Sequence, residues 1–311
     1  MEPLQLRNGA EIATATSVSE PGLADSLLAT LDEYVLADRL AGSRALLPIV
    51  TQQAKFIEHL QHTGHAGSRA ELRGVRARFD EFLGWLHQDA GNLPDAIRCT
   101  AHAGRLAQRS RNYQLLSYIR ARQSSLAADA DEGHATVDLA RSALRAPAEL
   151  THRQRAMALC QLAHGHARIG NSDDCLRALD RAARHAAHPD ADSGALAHHC
   201  TIDYVVMETA DCLIELGRPA QAIEILEPLL PHWPPEDRRD LGRSLALLAV
   251  ALARTDDLDR ALDVAEHALA IAAEIPSARI ERPLHRLVRQ LHIAGEPEKA
   301  AELRTAVDNA L

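Results

Sequence analysis

The 311-residue chain is 46% hydrophobic, enough to bury a large core and too much for a disordered tail. Aromatic residues make up only 3%, while alanine, leucine and arginine recur throughout, a composition that favours helices and starves a β-sheet of its usual formers. The formal net charge of −9 speaks against a phosphate-binding surface, so no DNA contact is expected from this chain alone.

Residues 1–21 show no helical period and are expected to form a flexible N-terminal segment. They lack the basic and apolar pattern of a signal peptide, and no window of about 20 uninterrupted apolar residues offers a membrane span. A cytoplasmic protein without membrane contact is therefore expected. Five cysteines (Cys99, Cys160, Cys175, Cys200 and Cys212) form an odd set without a CxxC pair, which fits a reducing compartment better than a disulfide framework or a zinc knuckle.

Residues 22–38 and 43–63 read as two helices of an atypical leading unit, 22–67. From residue 68 to 311 a turn followed by an alanine-rich helix recurs, in DAGNLPDAIRC, RIGNSDDCLRALDRA, ELGRPAQAIEILEPL, RTDDLDRALDVAEHAL and IAGEPEKAAELR. The turn residues Gly91, Asp131, Gly170, Gly217, Asp256 and Gly295 are spaced by 40, 39, 47, 39 and 39 residues. Glycine or aspartate at that point suits a left-handed helix terminus, and Pro94, Pro219 and Pro297 suit the first turn of the next helix. Small residues stand five positions after each anchor (Ala96, Thr136, Cys175, Ala222, Ala261, Ala300). All but Val288 of the residues seven positions before are small too (Gly84, Ser124, Ala163, Ala210, Ala249). They let two antiparallel helices approach closely. Each unit is a helical hairpin that cannot bury both its apolar stripes alone, so the hairpins are expected to stack. The expected fold is all-α, a single tetratricopeptide-like right-handed helical-hairpin solenoid over 22–311, with a period longer than the usual one of about 34. The 47-residue interval contains Pro189, Asp190, Asp192 and Gly194, which mark a longer loop.

The runs RALLPIVTQQAKFIEHL and FDEFLGWLHQDAGNLPDAIRC, within residues 43–99, resemble the tetratricopeptide-like sensor region of actinobacterial helix-turn-helix transcriptional regulators of the Xre type. The stretch from Gly84 to Gly91 is the most specific part, and the resemblance continues through Asp174–Ala182 over about residues 25–311. It implies a ligand- or partner-sensing module. Members of that family carry an amino-terminal helix-turn-helix, and this chain is read as starting after it, either as an excised sensor or as a stand-alone homologue. More distantly the arrangement looks like peptide-sensing regulators of Gram-positive bacteria, in which a helical-repeat groove binds a signal.

Catalytic motifs are missing: there is no P-loop, GxGxxG, GxSxG, HExxH or EF-hand loop, so neither enzymatic activity nor a cofactor is expected. His164 and His166 lie on different faces of a helix, which argues against chelation, and His166 reads as a packed or hinge residue. His185, His188, His198, His199 and Cys200 are compatible with soft-metal ligation, but the loose loop between them favours a solvated segment and no metal. His87 and Asp89 beside Trp85 read as structural.

Repeat register selects a concave face on the first helix of each unit. It picks Arg78, Glu81, Trp85 and Gln88; then Tyr118 and Ser125; Met157, Cys160 and His164; Tyr204, Met207 and Asp211; Arg243; and Arg282, His285 and Arg289. Aromatics near one end and Arg243, Arg282 and Arg289 near the other suit an extended ligand with an apolar body and an acidic end, such as a peptide carboxylate. The expected role is thus the binding of a peptide, a small molecule or a protein partner. The alternatives are an enzyme or biosynthetic accessory protein working in the groove, and an assembly scaffold. A homodimer is compatible with either.

Overall fold

A computed structural model describes residues 22–63, 66–146, 149–189, 196–235 and 237–310. The segment 1–21 and the loop positions Asp190, Asp192 and Gly194 lie outside them. The described residues form fourteen α-helices, one short 3₁₀ turn and no strand. The leading hairpin pairs α1 (Leu23–Ala41) with α2 (Ser43–Thr63). Six further hairpins follow: α3 (Ala66–Asp89) with α4 (Leu93–Arg109), α5 (Tyr113–Asp129) with α6 (Gly133–Leu144), and α7 (His152–Arg168) with α8 (Ser172–Ala186). Then come α9 (Ile202–Glu215) with α10 (Pro219–Leu226), α11 (Arg238–Arg254) with α12 (Leu258–Glu274), and α13 (Ala278–Ile293) with α14 (Pro297–Asn309). None of these helices is long and apolar enough to cross a membrane.

The turn chemistry is the same in every repeat. All six anchors are left-handed, from φ 62° at Asp131 to 83° at Gly91. After each, the next residue's N–H reaches back to the carbonyl four residues before the anchor, as in Asn92 to His87 (2.8 Å), Arg218 to Leu213 (2.8 Å) and Glu296 to Leu291 (3.0 Å), the bond that closes a Schellman motif. A seventh such turn joins α4 to α5 through Arg111 (φ 55°). Its arginine gave no turn signal. Helix α10 is short because Pro228 and Pro231 remove N–H donors just beyond it.

The small residues do what close packing requires. Ala96, Thr136, Cys175, Ala222, Ala261 and Ala300 are all completely buried. At Gly84 the approach is tightest: a Cβ there would stand 2.2 Å from Thr100 Oγ1 and 3.2 Å from the Ala96 carbonyl oxygen. Apolar cores fill the spaces between hairpins, one around α1 to α3 and a larger one running from α7 to α14.

The odd-numbered helices of the repeats turn their polar inner faces toward a common lumen. The leading hairpin meets the last two hairpins, which no local pattern in the sequence announces. The α1–α2 connection at Gly42 packs 3.8 Å (from an ideal Cβ) from Ile275 Cγ2, and Gly91 likewise stands 3.8 Å from the Ala278 Cβ. The leading hairpin and α3 therefore seat against the start of α13 and of α11.

Two glycines of α3 separate packing from propensity. Gly84→Val is expected to cost about 1–3 kcal/mol by overpacking. Gly74→Ala, with nothing within 4 Å of its Cβ position, is expected to stabilise by up to about 1 kcal/mol through helix propensity. Chemical denaturation of both variants checks this; equal effects would mean that α3 and α4 are not in close contact.

Candidate functional site

The closure is made by a buried polar cluster. Asp38, near the end of α1, is 3% exposed. Its Oδ2 accepts from Trp85 Nε1 (3.0 Å) and from an Arg239 terminal nitrogen (2.8 Å), and the second Arg239 terminal nitrogen donates to the Asp38 carbonyl oxygen (2.7 Å). Asp89, fully buried at the end of α3, lies 3.5 Å from Arg239 Nε and accepts from Ser277 Oγ (2.6 Å). Ser43 Oγ sits between the two carboxyl groups, 2.7 Å from Asp38 and 2.8 Å from Asp89. A hydroxyl has one proton, so both contacts are hydrogen bonds only if one carboxyl donates. Burial pushes the Asp89 carboxyl up, against the pull of Arg239, which suits it to that role.

Beside this cluster the inner face of the superhelix forms a half-open cavity of about 470 Å³. One wall comes from α1, with Leu31, Val35 and Arg39, and another from α3, with Arg78, Glu81, Phe82 and Trp85. Tyr118 and Tyr204 enter from α5 and α9, and Arg239, Asp240 and Arg279 from α11 and α13. The Trp85 ring carries guanidinium groups of Arg122, Arg239 and Arg279 at 5.1, 5.9 and 5.2 Å from its centroid. Residues 196–199, the end of the long α8–α9 connection, dip into the lumen and complete the lining. His198 Nε2 accepts from Arg39 (2.8 Å), and burial together with that cation holds the imidazole below its usual range. His199 packs edge-on to Tyr204 at 5.1 Å, and burial pushes its pKa down to about 3.

A second cluster lies further along the lumen. Glu208 of α9 accepts both Arg243 terminal nitrogens (2.7 and 3.0 Å) and His164 Nε2 (2.5 Å). Asp211 accepts from Arg286 (2.6 Å) and Arg243 (3.2 Å). Burial alone would raise both carboxyl groups, but the guanidinium groups and His164 outweigh it and hold both well below the usual range. His164, Glu208 and Asp211 bring ligand atoms within 4.8 Å of one another. Their charges are already met by two arginines, which makes this a salt network spanning α7, α9, α11 and α13.

The residues selected by register thus separate. Arg78, Glu81, Trp85, Tyr118 and Tyr204 line the cavity. Gln88 and Ser125 lie behind it, where Gln88 donates to Ser125 and Asp129 and accepts from Arg122. His164, Asp211 and Arg243 belong to the second cluster, so the inner face is two polar centres and not one continuous binding surface. Met157, Cys160 and Met207 are core residues with at most 3% exposure and offer no surface to a ligand. The expected acidic-end subsite of Arg243, Arg282 and Arg289 does not form: Arg243 is consumed by Glu208, Arg282 pairs with Asp129, and Arg289 is exposed on the outside. His285 is half-buried and does not line the cavity. The loose histidine set is split, His185 and His188 packing on His152 while His198 and His199 face the cavity. His87 and Asp89 take separate structural places. Asp38, Arg39, Arg239 and Arg279 were not singled out by sequence; the one available signal was the indole N–H of Trp85, which needs an acceptor when buried.

Two outcomes follow. Arg239→Leu leaves Asp38 and Asp89 buried without their cation and is expected to cost about 3–5 kcal/mol, whereas adding Asp38→Asn should cost much less than the sum, which a double-mutant cycle reads. His199 is neutral when folded and titrates near 6.5 when unfolded, so its contribution is present above pH 6.5 and is lost as pH falls toward 3. His199→Phe should therefore flatten the acid limb of the stability profile, by up to about 1.4 kcal/mol for each pH unit in that window; an unchanged slope would place His199 in water.

No protein-family model matches the chain, and no curated protein sequence does. Among solved structures it is similar to a Rap protein complexed with competence and sporulation factor, with a TM-score of 0.57, 12% identity, and coverage of 92% of this chain and 98% of that one. A likeness at that identity shows the shared helical-repeat fold.

Proposed function

We propose that this chain is the ligand- or partner-binding module of a bacterial transcriptional regulator, acting by binding and not by catalysis, with the half-open cavity as its ligand site. The observation that carries the reading is the cavity itself: about 470 Å³, walled by aromatic rings and charged groups, and placed where the two ends of the solenoid meet. A ligand there touches α1, α3, α5, α9, α11 and α13 at once, so occupancy favours the closed superhelix by its differential affinity for that state. The likeness to a Rap protein, itself solved with competence and sporulation factor, supports a binding role. The resemblance to Xre-type sensors supports the regulatory one. Because the cavity is compact, a small molecule or a short peptide end fits better than an extended peptide. Catalysis is disfavoured by the pairing of His164 and Glu208, the best acid and base available, with Arg243. The reducing cytoplasm is the proposed compartment, supported by five buried free cysteines, and DNA binding is assigned to a separate reader.

Native mass spectrometry of the protein purified from its host is expected to show a bound species released on denaturation. Trp85→Phe should retain it, while Trp85→Ala should weaken it by about 1–3 kcal/mol. Equal retention by all three proteins, at matched melting temperatures, would remove the cavity as the site. Sequence-specific, salt-sensitive binding of duplex DNA by residues 1–311 alone would place a reader inside the solenoid.

A further inference from the structure

Among the described residues two charged groups that line the cavity have no hydrogen bond or ion pair, Arg78 and Asp32, and the half-buried one points to the ligand. Arg239 is held by Asp38 (2.8 Å), Arg279 by Asp240 (2.8 Å), and Arg39 by Asp237 (3.5 Å) and His198. Glu81 is held by Arg122 (3.1 Å). Arg78 alone of the lining cations has no hydrogen bond or ion pair among the described residues. It is half-buried on α3, one turn before Glu81 and two turns before Trp85. The lining carboxylate without a partner, Asp32, is exposed, where water solvates it. A half-buried guanidinium without an acid, facing a cavity of aromatic rings, is the arrangement expected where a ligand supplies the anion.

We infer that the cavity takes a compact organic oxyanion, its carboxylate or phosphate group seated on Arg78 and its apolar or aromatic body against Phe82, Trp85, Tyr118 and Tyr204. This deepens the proposed binding role and rests on it. The size of the cavity suits a compact ligand: about 470 Å³ is in the lower half of the range for small-molecule sites, about 300–1,000 Å³. The placement of the unpaired charges, Arg78 half-buried and Asp32 exposed, sets its sign. One unmatched guanidinium accommodates one anionic group, and a second would meet Asp240, Glu81 and Asp38 on the surrounding walls. The extended ligand expected from sequence, with its acid on Arg243, Arg282 and Arg289, is replaced by a shorter one with its acid at the α3 end.

Isothermal titration of the full chain with three probes of one shape tests this: 1-naphthaleneacetate, 1-naphthyl phosphate and the neutral 1-naphthaleneacetamide. At least one anion is expected to bind tenfold or more tightly than the amide. Arg78→Gln should abolish that difference with little change in melting temperature, since Arg78 has no hydrogen bond or ion pair to another described residue, and Arg78→Lys should restore part of it. Tighter binding of the acetate assigns the site to a carboxylate, and tighter binding of the phosphate assigns it to a phosphate ester. Equal affinity for all three probes, an unchanged preference in Arg78→Gln, or no binding of either anion would overturn the inference. The binding role itself is judged separately by the species released from the native protein, so a cavity found to hold a neutral molecule would sink the oxyanion and leave that role standing.

Discussion

The contact between Asp38 and Arg239 joins residues 201 positions apart, and the shape of the molecule depends on it. A solenoid of hairpins is held by neighbour-to-neighbour packing alone and has no intrinsic reason to close. Here the last turn of α1 carries a buried carboxylate whose charge is met only on α11, in the sixth of the seven hairpins. Removing either partner leaves a charge out of water, while separating the two ends rehydrates both. Closure is thus favoured in direction and modest in energy, because the cost of desolvating two ions offsets most of their attraction. What the pair provides is register: it sets which part of α11 faces α1, and with it the form of the cavity.

Two kinds of interaction divide the structure between them. Within and between hairpins, alanine, leucine and glycine pack at close range, and the apolar core is nearly continuous from α7 to α14. Along the lumen the packing is polar, with Glu81, Arg122 and Gln88 linking α3 to α5 and the Glu208 network linking α7, α9, α11 and α13. The first kind builds the hairpins irrespective of curvature. The second ties together inner faces whose separation changes with curvature, so the lumen is where a ligand can bias the superhelix.

The repeats were legible because each is written locally: a left-handed residue at the anchor, a small residue five places on, an apolar stripe between. Arg111 shows the limit, since its left-handed turn, closed by the Asn112 N–H to the Ala107 carbonyl, falls on an exposed residue with no preference for it. The inner-face positions Trp85, Tyr118 and Tyr204 were also legible, as equivalent positions of equivalent helices. Their function was not, because a side chain's availability depends on its partners. Arg243 reads as a free cation until Glu208 is placed beside it, and Glu208 falls at no concave register position. Arg78 and Arg243 look alike in sequence; only the placement of Glu208 beside Arg243, with no acid beside Arg78, distinguishes them. Closure itself was invisible, being the sum of small rotations over six units with no local signature.

Small-angle X-ray scattering of the intact chain and of Arg239→Leu, each with helix content followed by circular dichroism, tests the dependence on that one pair most directly. The wild type should scatter as a compact closed superhelix, and the variant, with its helix content retained, should show a longer maximum dimension and a larger radius of gyration. Identical scattering from the two, at equal helix content, would show that the ends meet without Asp38 and Arg239, and that the cavity does not depend on the buried pair.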